Sequence, residues 1–145
     1  MTDRTKGSTA ALAATGLNKI VVLENTVDYA ANPSTGGEVC NVLNVPAGVF
    51  ILMAGAETLT VEGGTAAGTL GDGDDPDGFL ATLNGNSAGY YTRGLTLTEA
   101  TPNTVTGYSA GKFYAAADTI DHVTTNALDA AKIRYFAVGI DLSGR

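Results

Sequence analysis

Tryptophan is absent from this 145-residue chain, cysteine and histidine occur once each, and charged side chains make up only 16% of it. Each scarcity removes a class of function. A single thiol, Cys40, allows no intrachain disulfide, and in its apolar context it reads as a small packed hydrophobe. A single imidazole, His122, excludes a histidine-rich metal site. A Ser–His–Asp triad would have to use it, and although Asp118 and Asp121 are near, no G-x-S-x-G elbow is present. In TIDHVTT it reads as a strand-face residue satisfied by a neighbour. The glycine-rich EGGTAAGTLGDG lacks the lysine and the strand-to-helix setting of a phosphate loop. The chain therefore reads as no enzyme and as needing no cofactor. Its longest apolar run, Val49 to Ala54, is a strand's length rather than the ~20 residues of a membrane helix, so no membrane partner is expected.

Basic charge is scarce as well. The formal net charge is −7, which argues against a nucleic-acid partner, because phosphate binding needs a basic surface. The charge is uneven: residues 1–19 hold Arg4, Lys6 and Lys19 against Asp3, and the rest holds five basic and fourteen acidic side chains. After Arg4 and Lys6 the sequence drifts into Ser8, Thr9 and alanines without the apolar centre of a signal peptide, so no export is expected.

What is abundant is glycine, nineteen residues of it, amid threonine, valine and alanine, the composition of short strands and tight turns. Residues 1–18 show neither strand nor helix period and read as an extended N-terminal arm, whose removal is expected to cost little stability. Residues 19–145 read as one β-domain. Strands are predicted from Lys19 to near Tyr29, over Glu38–Val45, over 49–61 with a bend at Gly55 or a break into two, over Thr65–Leu70, Tyr90–Thr98, Lys112–Ala115 and Thr119–Val123, and over Lys132–Leu142. Phe79–Leu83 reads as one helical turn, capped by Asp75 with Pro76 in the first position. On the closing strand, Arg134, Phe136, Val138, Ile140 and Leu142 are taken as the more buried face, over Ile133, Tyr135, Ala137, Gly139 and Asp141. Some eight strands with turns between them predict an all-β, two-sheet, jelly-roll-like sandwich.

The order VPAG, LTVEGG, LGDGDDPDGFLA, NGNSAG, GKFYAAADTIDHV and AKIRYFAVGIDL, over about residues 40–142, resembles that of small head decoration or cement proteins of tailed phages. The resemblance implies a β-sandwich that assembles as a homo-oligomer, commonly a trimer, on the outer capsid surface, with the major capsid protein as partner. It implies a virion protein made in the cytoplasm of a host bacterium. In that setting Arg4 and Lys6 on the arm are the candidate capsid-binding residues, pairing with acidic capsid surface.

Two local features compete with plain structural readings. Asp72, Asp74, Asp75 and Asp77 in GDGDDPDG are carboxylates on a glycine-rich loop, the oxygen chemistry that Ca²⁺ takes, yet Pro76 and Leu83 stand where an EF-hand needs Asp or Asn and then Glu. A solvated turn is the preferred reading. Six tyrosines, among them Tyr90, Tyr91, Tyr108 and Tyr114, keep open an alternative in which the Tyr90–Arg93 loop binds host-surface glycans as a head appendage. Packing in core and interface is preferred there too.

Overall fold

The computed structural model describes residues 1–4, 9–12, 19–92, 107–108 and 111–144. Lys6, Arg93 and the predicted extension beyond Thr92 lie outside the described residues. The strands are β1 (Thr2–Asp3), β2 (Thr9–Leu12), β3 (Lys19–Asp28), β4 (Val39–Val45), β5 (Val49–Thr60), β6 (Ala67–Gly71), β7 (Leu80–Asn84), β8 (Gly89–Thr92), β9 (Lys112–Tyr114), β10 (Asp118–Thr124) and β11 (Lys132–Asp141). Sheet A runs β1-β4-β10-β6-β7, and sheet B runs β2-β3-β11-β5-β8 with β9 also paired to β5. From β3 to β5, and again from β9 to β11, the chain changes sheet at every connection. That gives a two-sheet β-sandwich with the inter-sheet crossings of a jelly roll.

Alternation on each strand builds the core. On β3 the buried set is Val21, Leu23, Asn25 and Val27, and on β11 it is Ile133, Tyr135, Ala137, Gly139 and Asp141. The second set corrects the sequence expectation, which placed Arg134, Phe136, Val138, Ile140 and Leu142 inside; the first four are only half-buried on the outer face of sheet B, and Leu142, just past the strand, is exposed. Both faces of β11 are apolar, so periodicity shows that two faces exist without ranking them. The tyrosine decides the outcome: Tyr135 reaches across the sandwich, where its hydroxyl lies 2.8 Å from that of Tyr29 and 2.7 Å from Nδ1 of His122.

The predicted helical turn is likewise replaced. Leu80–Asn84 is strand β7, and Phe79 N–H donates to Leu70 O at 2.9 Å, so the backbone is committed to the ladder with β6. No helix occurs among the described residues. The bend expected at Gly55 is not marked by a bulge there, since Gly55 pairs in register with Phe136. The irregularities fall instead at Leu52 and Leu59, which the register with β11 skips, and both of these leucines are exposed. A bulge leaves one residue unpaired and re-aims its side chain.

Two pieces of the segment read as an arm are strands. β1 lies parallel to β4, with Asp3 beside Asn41, and β2 lies antiparallel to β3, with Thr9 beside Glu24.

The interior is tight where β6 meets β10. A Cβ built on Gly68 would run into the His122 ring and lie 2.8 Å from Val123 O, which is ladder backbone and cannot withdraw. Gly68→Ala is therefore expected to cost about 2 kcal/mol by overpacking, a fall in Tm of roughly 5–10 °C. A thermal melt of the purified variant checks it.

Candidate interaction surface

The two outer faces of the sandwich differ in chemistry. Ladder partners point to the same side of a sheet, so pairing alone maps each face. On sheet B, Ile20, Ile140, Phe50 and Phe113 form one row across β3, β11, β5 and β9, and Val22, Val138 and Met53 form the next. Ile20, Leu52, Phe113 and Leu142 are each about half exposed. Toward the other end the face turns polar. Arg134 pairs with Glu24 at 3.6 Å and with Glu57, and Lys132 pairs with Asp28 at 2.9 Å. Apart from Met1, every large hydrophobic side chain standing out in solvent among the described residues belongs to a sheet B strand or to Val61 or Leu142, just past β5 and β11.

The outward side of sheet A carries acids, of which Asp3 is exposed and Asp121 is buried. The row crossing its centre is Asp3, Asn41, Asp121 and Gly71, and the GDGDDPDG loop folds back on it. The Thr69 hydroxyl donates to Pro76 O at 2.8 Å, and no room exists for a Cβ on Gly71 beneath the Asp75 and Pro76 backbone.

Within that loop Asp72 is the organiser. Its Oδ1 accepts from the N–H groups of Asp74 and Asp75 at 3.0 and 3.1 Å and from the Tyr108 hydroxyl at 2.7 Å. Its Oδ2 accepts from Tyr114 at 2.7 Å and from Lys112 Nζ at 2.6 Å. Lys112 also donates to Asp74 at 3.0 Å and lies over the rings of Tyr108 and Tyr114, 4.6 and 4.9 Å from their centroids. Burial by itself would raise the Asp72 carboxyl, but the bonds from Lys112, Tyr108 and Tyr114 more than offset it and hold the group below the usual carboxylate range. The same contacts outweigh burial at Lys112 and hold its ammonium above the ordinary lysine range.

A cation therefore already sits between Asp72 and Asp74, and it is supplied by the chain. Asp75 turns to Asp77, whose hydrogen bond raises the Asp75 carboxyl. Among the described residues, no three His, Cys, Asp or Glu side chains are grouped so as to hold a metal ion. Lys112, Tyr108 and Tyr114 as partners of Asp72 escape a sequence reading, because they lie 36 to 42 residues away and only the fold joins them.

Arg4 is not placed as a capsid-facing cation. It is buried, with its guanidinium donating to Pro33 O at 2.7 Å, Asn32 O at 3.4 Å, Glu38 Oε1 at 3.1 Å and Cys40 Sγ at 3.0 Å, and lying 5.4 Å from the Tyr29 ring centroid. A planar fork of five donors suits that niche of carbonyls, carboxylate and ring, and solvent offers nothing equivalent. Of the six tyrosines only Tyr90 is fully in solvent, where its hydroxyl accepts from Arg134 at 3.5 Å; Tyr29, Tyr114 and Tyr135 are buried.

No family model matches the chain, and no curated protein matches it. The fold recurs in two phage capsids. One match is a chain in the acidic stable capsid structure of Helicobacter pylori bacteriophage KHP30, with a TM-score of 0.59 and 13% identity, covering 94% of each chain. The other is a chain in the capsid asymmetric unit of cyanophage Pam1, with a TM-score of 0.52 and 13% identity over 90% of this chain and 93% of that one. At such identity the likeness is one of fold.

Proposed function

We propose that the chain is a virion structural protein, without enzymatic activity, that binds the outer surface of a tailed-phage capsid as an oligomer and decorates or cements the major capsid lattice. The observation that carries this reading is the two-faced sandwich, with an apolar outer face on sheet B and an acidic one on sheet A. A contiguous apolar surface rimmed by ion pairs is the anatomy of a protein–protein contact. The likeness to two capsid chains over at least 90% of this chain supports the same setting. In this reading sheet B, with Ile20, Phe50, Leu52 and Phe113, meets neighbouring virion subunits, and the acidic loop faces solvent. Glycan binding as a head appendage has less support, because Tyr90 offers one exposed ring where a stacking platform uses several.

The test is binding to capsids that lack the protein. Leu52→Glu with Phe113→Glu is expected to fold normally, since both side chains already stand half in water, and to bind at least 100-fold more weakly, because two carboxylates would be desolvated in the contact. Asp118→Lys, at an exposed acidic position on sheet A strand β10, is expected to bind within a few-fold of wild type. Unchanged binding by the doubly substituted protein would remove sheet B from the contact.

A further inference from the structure

Strand β10 buries an ionisable side chain on each face. Asp121, 3% exposed, lies on the outer side of sheet A, and His122, 1% exposed, points inward to Tyr29 and Tyr135. Both carry an atom without a hydrogen-bond partner, Asp121 Oδ1 and His122 Nε2. Beside Asp121 on the same face stands its ladder partner Asn41, whose Oδ1 is also unpartnered, while its Nδ2 donates to Thr119 Oγ1 at 2.7 Å. Thr119 in turn hydrogen-bonds Asp121. Three side chains are thus linked, with two orphaned acceptors and, among the described residues, no donor to place between them. One proton on Asp121 supplies that donor.

The inner face has no such remedy. The charged and titratable groups around His122 are Arg4, Tyr29, Tyr135 and Cys40, and none is a carboxylate that would welcome an imidazolium. Around Asp121, among the described residues, they are Asp118 on the same strand, Asp72 beyond β6, Asp3 two strands away in the same row and the buried Cys40 thiol, with no cation among them.

We propose that β10 is acid-compensated: on acidification Asp121 takes up a proton and shares it with Asn41 Oδ1, stabilising the sandwich over the range in which buried His122 on the opposite face weakens it. Burial, with the charges of Asp118 and Asp72, pushes the Asp121 carboxyl up to about 6. Burial, with the charge of Arg4, pushes His122 down to about 4. A carboxyl raised in the folded state stabilises fully below its unfolded value, and the benefit is lost as pH rises through about 6. A histidine lowered in the folded state stabilises above its unfolded value, and the benefit is lost as pH falls through about 4. The two slopes oppose each other in one window.

The experiment compares the folding equilibrium constants of wild type and Asp121→Asn at pH 7 and pH 5 by urea unfolding, and follows the single histidine by NMR titration in the folded chain. Asparagine at this position carries a permanent donor toward Asn41 and cannot titrate. Wild type is expected to lose roughly two- to threefold between the two pH values, and Asp121→Asn roughly twentyfold, because only the histidine slope then remains. The variant should also be the more stable protein at pH 7. Equal pH dependence in the two proteins overturns the compensation, as does a histidine that titrates near 6.5.

Discussion

Arg4→Met is expected to lower the unfolding free energy by about 3–5 kcal/mol, the cost of removing one partner from a buried ion pair. The side chain is only 4% exposed, and its guanidinium is the donor for two loop carbonyls, for Glu38 and for Cys40. Methionine fills much of the volume but leaves these acceptors without their donor in a part-buried site. Glu38 suffers most. Burial works to raise its carboxyl, and bonds from Thr2, the Thr35 N–H and Arg4 together keep it low, so two of its supports come from the first four residues. Arg4→Lys should recover only part of the loss, because one ammonium cannot span acceptors spread around a planar fork. A chain beginning near Asn18 should fare worse than Arg4→Met, since it also loses the β1 pairing with β4 and the Arg4 carbonyl that accepts from Asn25 Nδ2 at 2.7 Å. Urea unfolding of the three proteins decides it. If the shortened chain unfolds with the wild-type midpoint, Arg4 is not structural and the reading of residues 1–18 as a dispensable arm stands. The same geometry changes the meaning of a charge reversal at Arg4, which would damage the core before it could report on any capsid contact.

Strand positions were legible in the sequence because β-branched runs bounded by glycine, proline and asparagine mark them, and β3, β4, β10 and β11 fall within a residue or two of their predicted bounds. Which side of a strand is buried was legible only where the two sides differ in polarity. On β11 both sides are apolar, and the inner one was chosen by Tyr135 and His122 meeting across the sandwich, a contact between residues from two sheets. At Phe79–Leu83, Asp75 and Pro76 are good helix-starting chemistry, but the β6 edge offers the backbone a ladder, and tertiary pairing overrides local propensity. The acidic loop is plain in the sequence as GDGDDPDG, although its controlling cation is not. Nothing in the local pattern of GKFY ties Lys112 to a carboxylate forty residues earlier. Arg4 misled for a related reason, since an isolated cation in an unpatterned segment reads as solvated until the fold shows the acceptors gathered around it.

The second large effect is expected at that acidic loop. Asp72→Ala should cost about 3–4 kcal/mol, because it strips acceptors from the buried Tyr114 hydroxyl, from Tyr108 and from the Asp74 and Asp75 N–H groups, and leaves Lys112 with only the exposed Asp74 carboxylate and the Tyr108 hydroxyl. Lys112→Met should cost less, about 2 kcal/mol, since four donors still serve the Asp72 carboxylate. The double variant should fall short of the sum by about 1–2 kcal/mol, the mark of two side chains that act on each other. Acid should erase part of the difference. The Asp72 carboxyl lies lower in the folded than in the unfolded protein, so its contribution is present above the ordinary aspartate value of 3.8 and is lost as pH falls through the folded value. The gap between wild type and Asp72→Ala should therefore narrow only below about pH 4. Because Lys112 fills the place between Asp72 and Asp74, neither Ca²⁺ nor EDTA is expected to move the wild-type Tm. A calcium-dependent rise of several degrees, abolished by Asp74→Ala or Asp77→Ala, would show instead that the lysine yields its place to a metal ion.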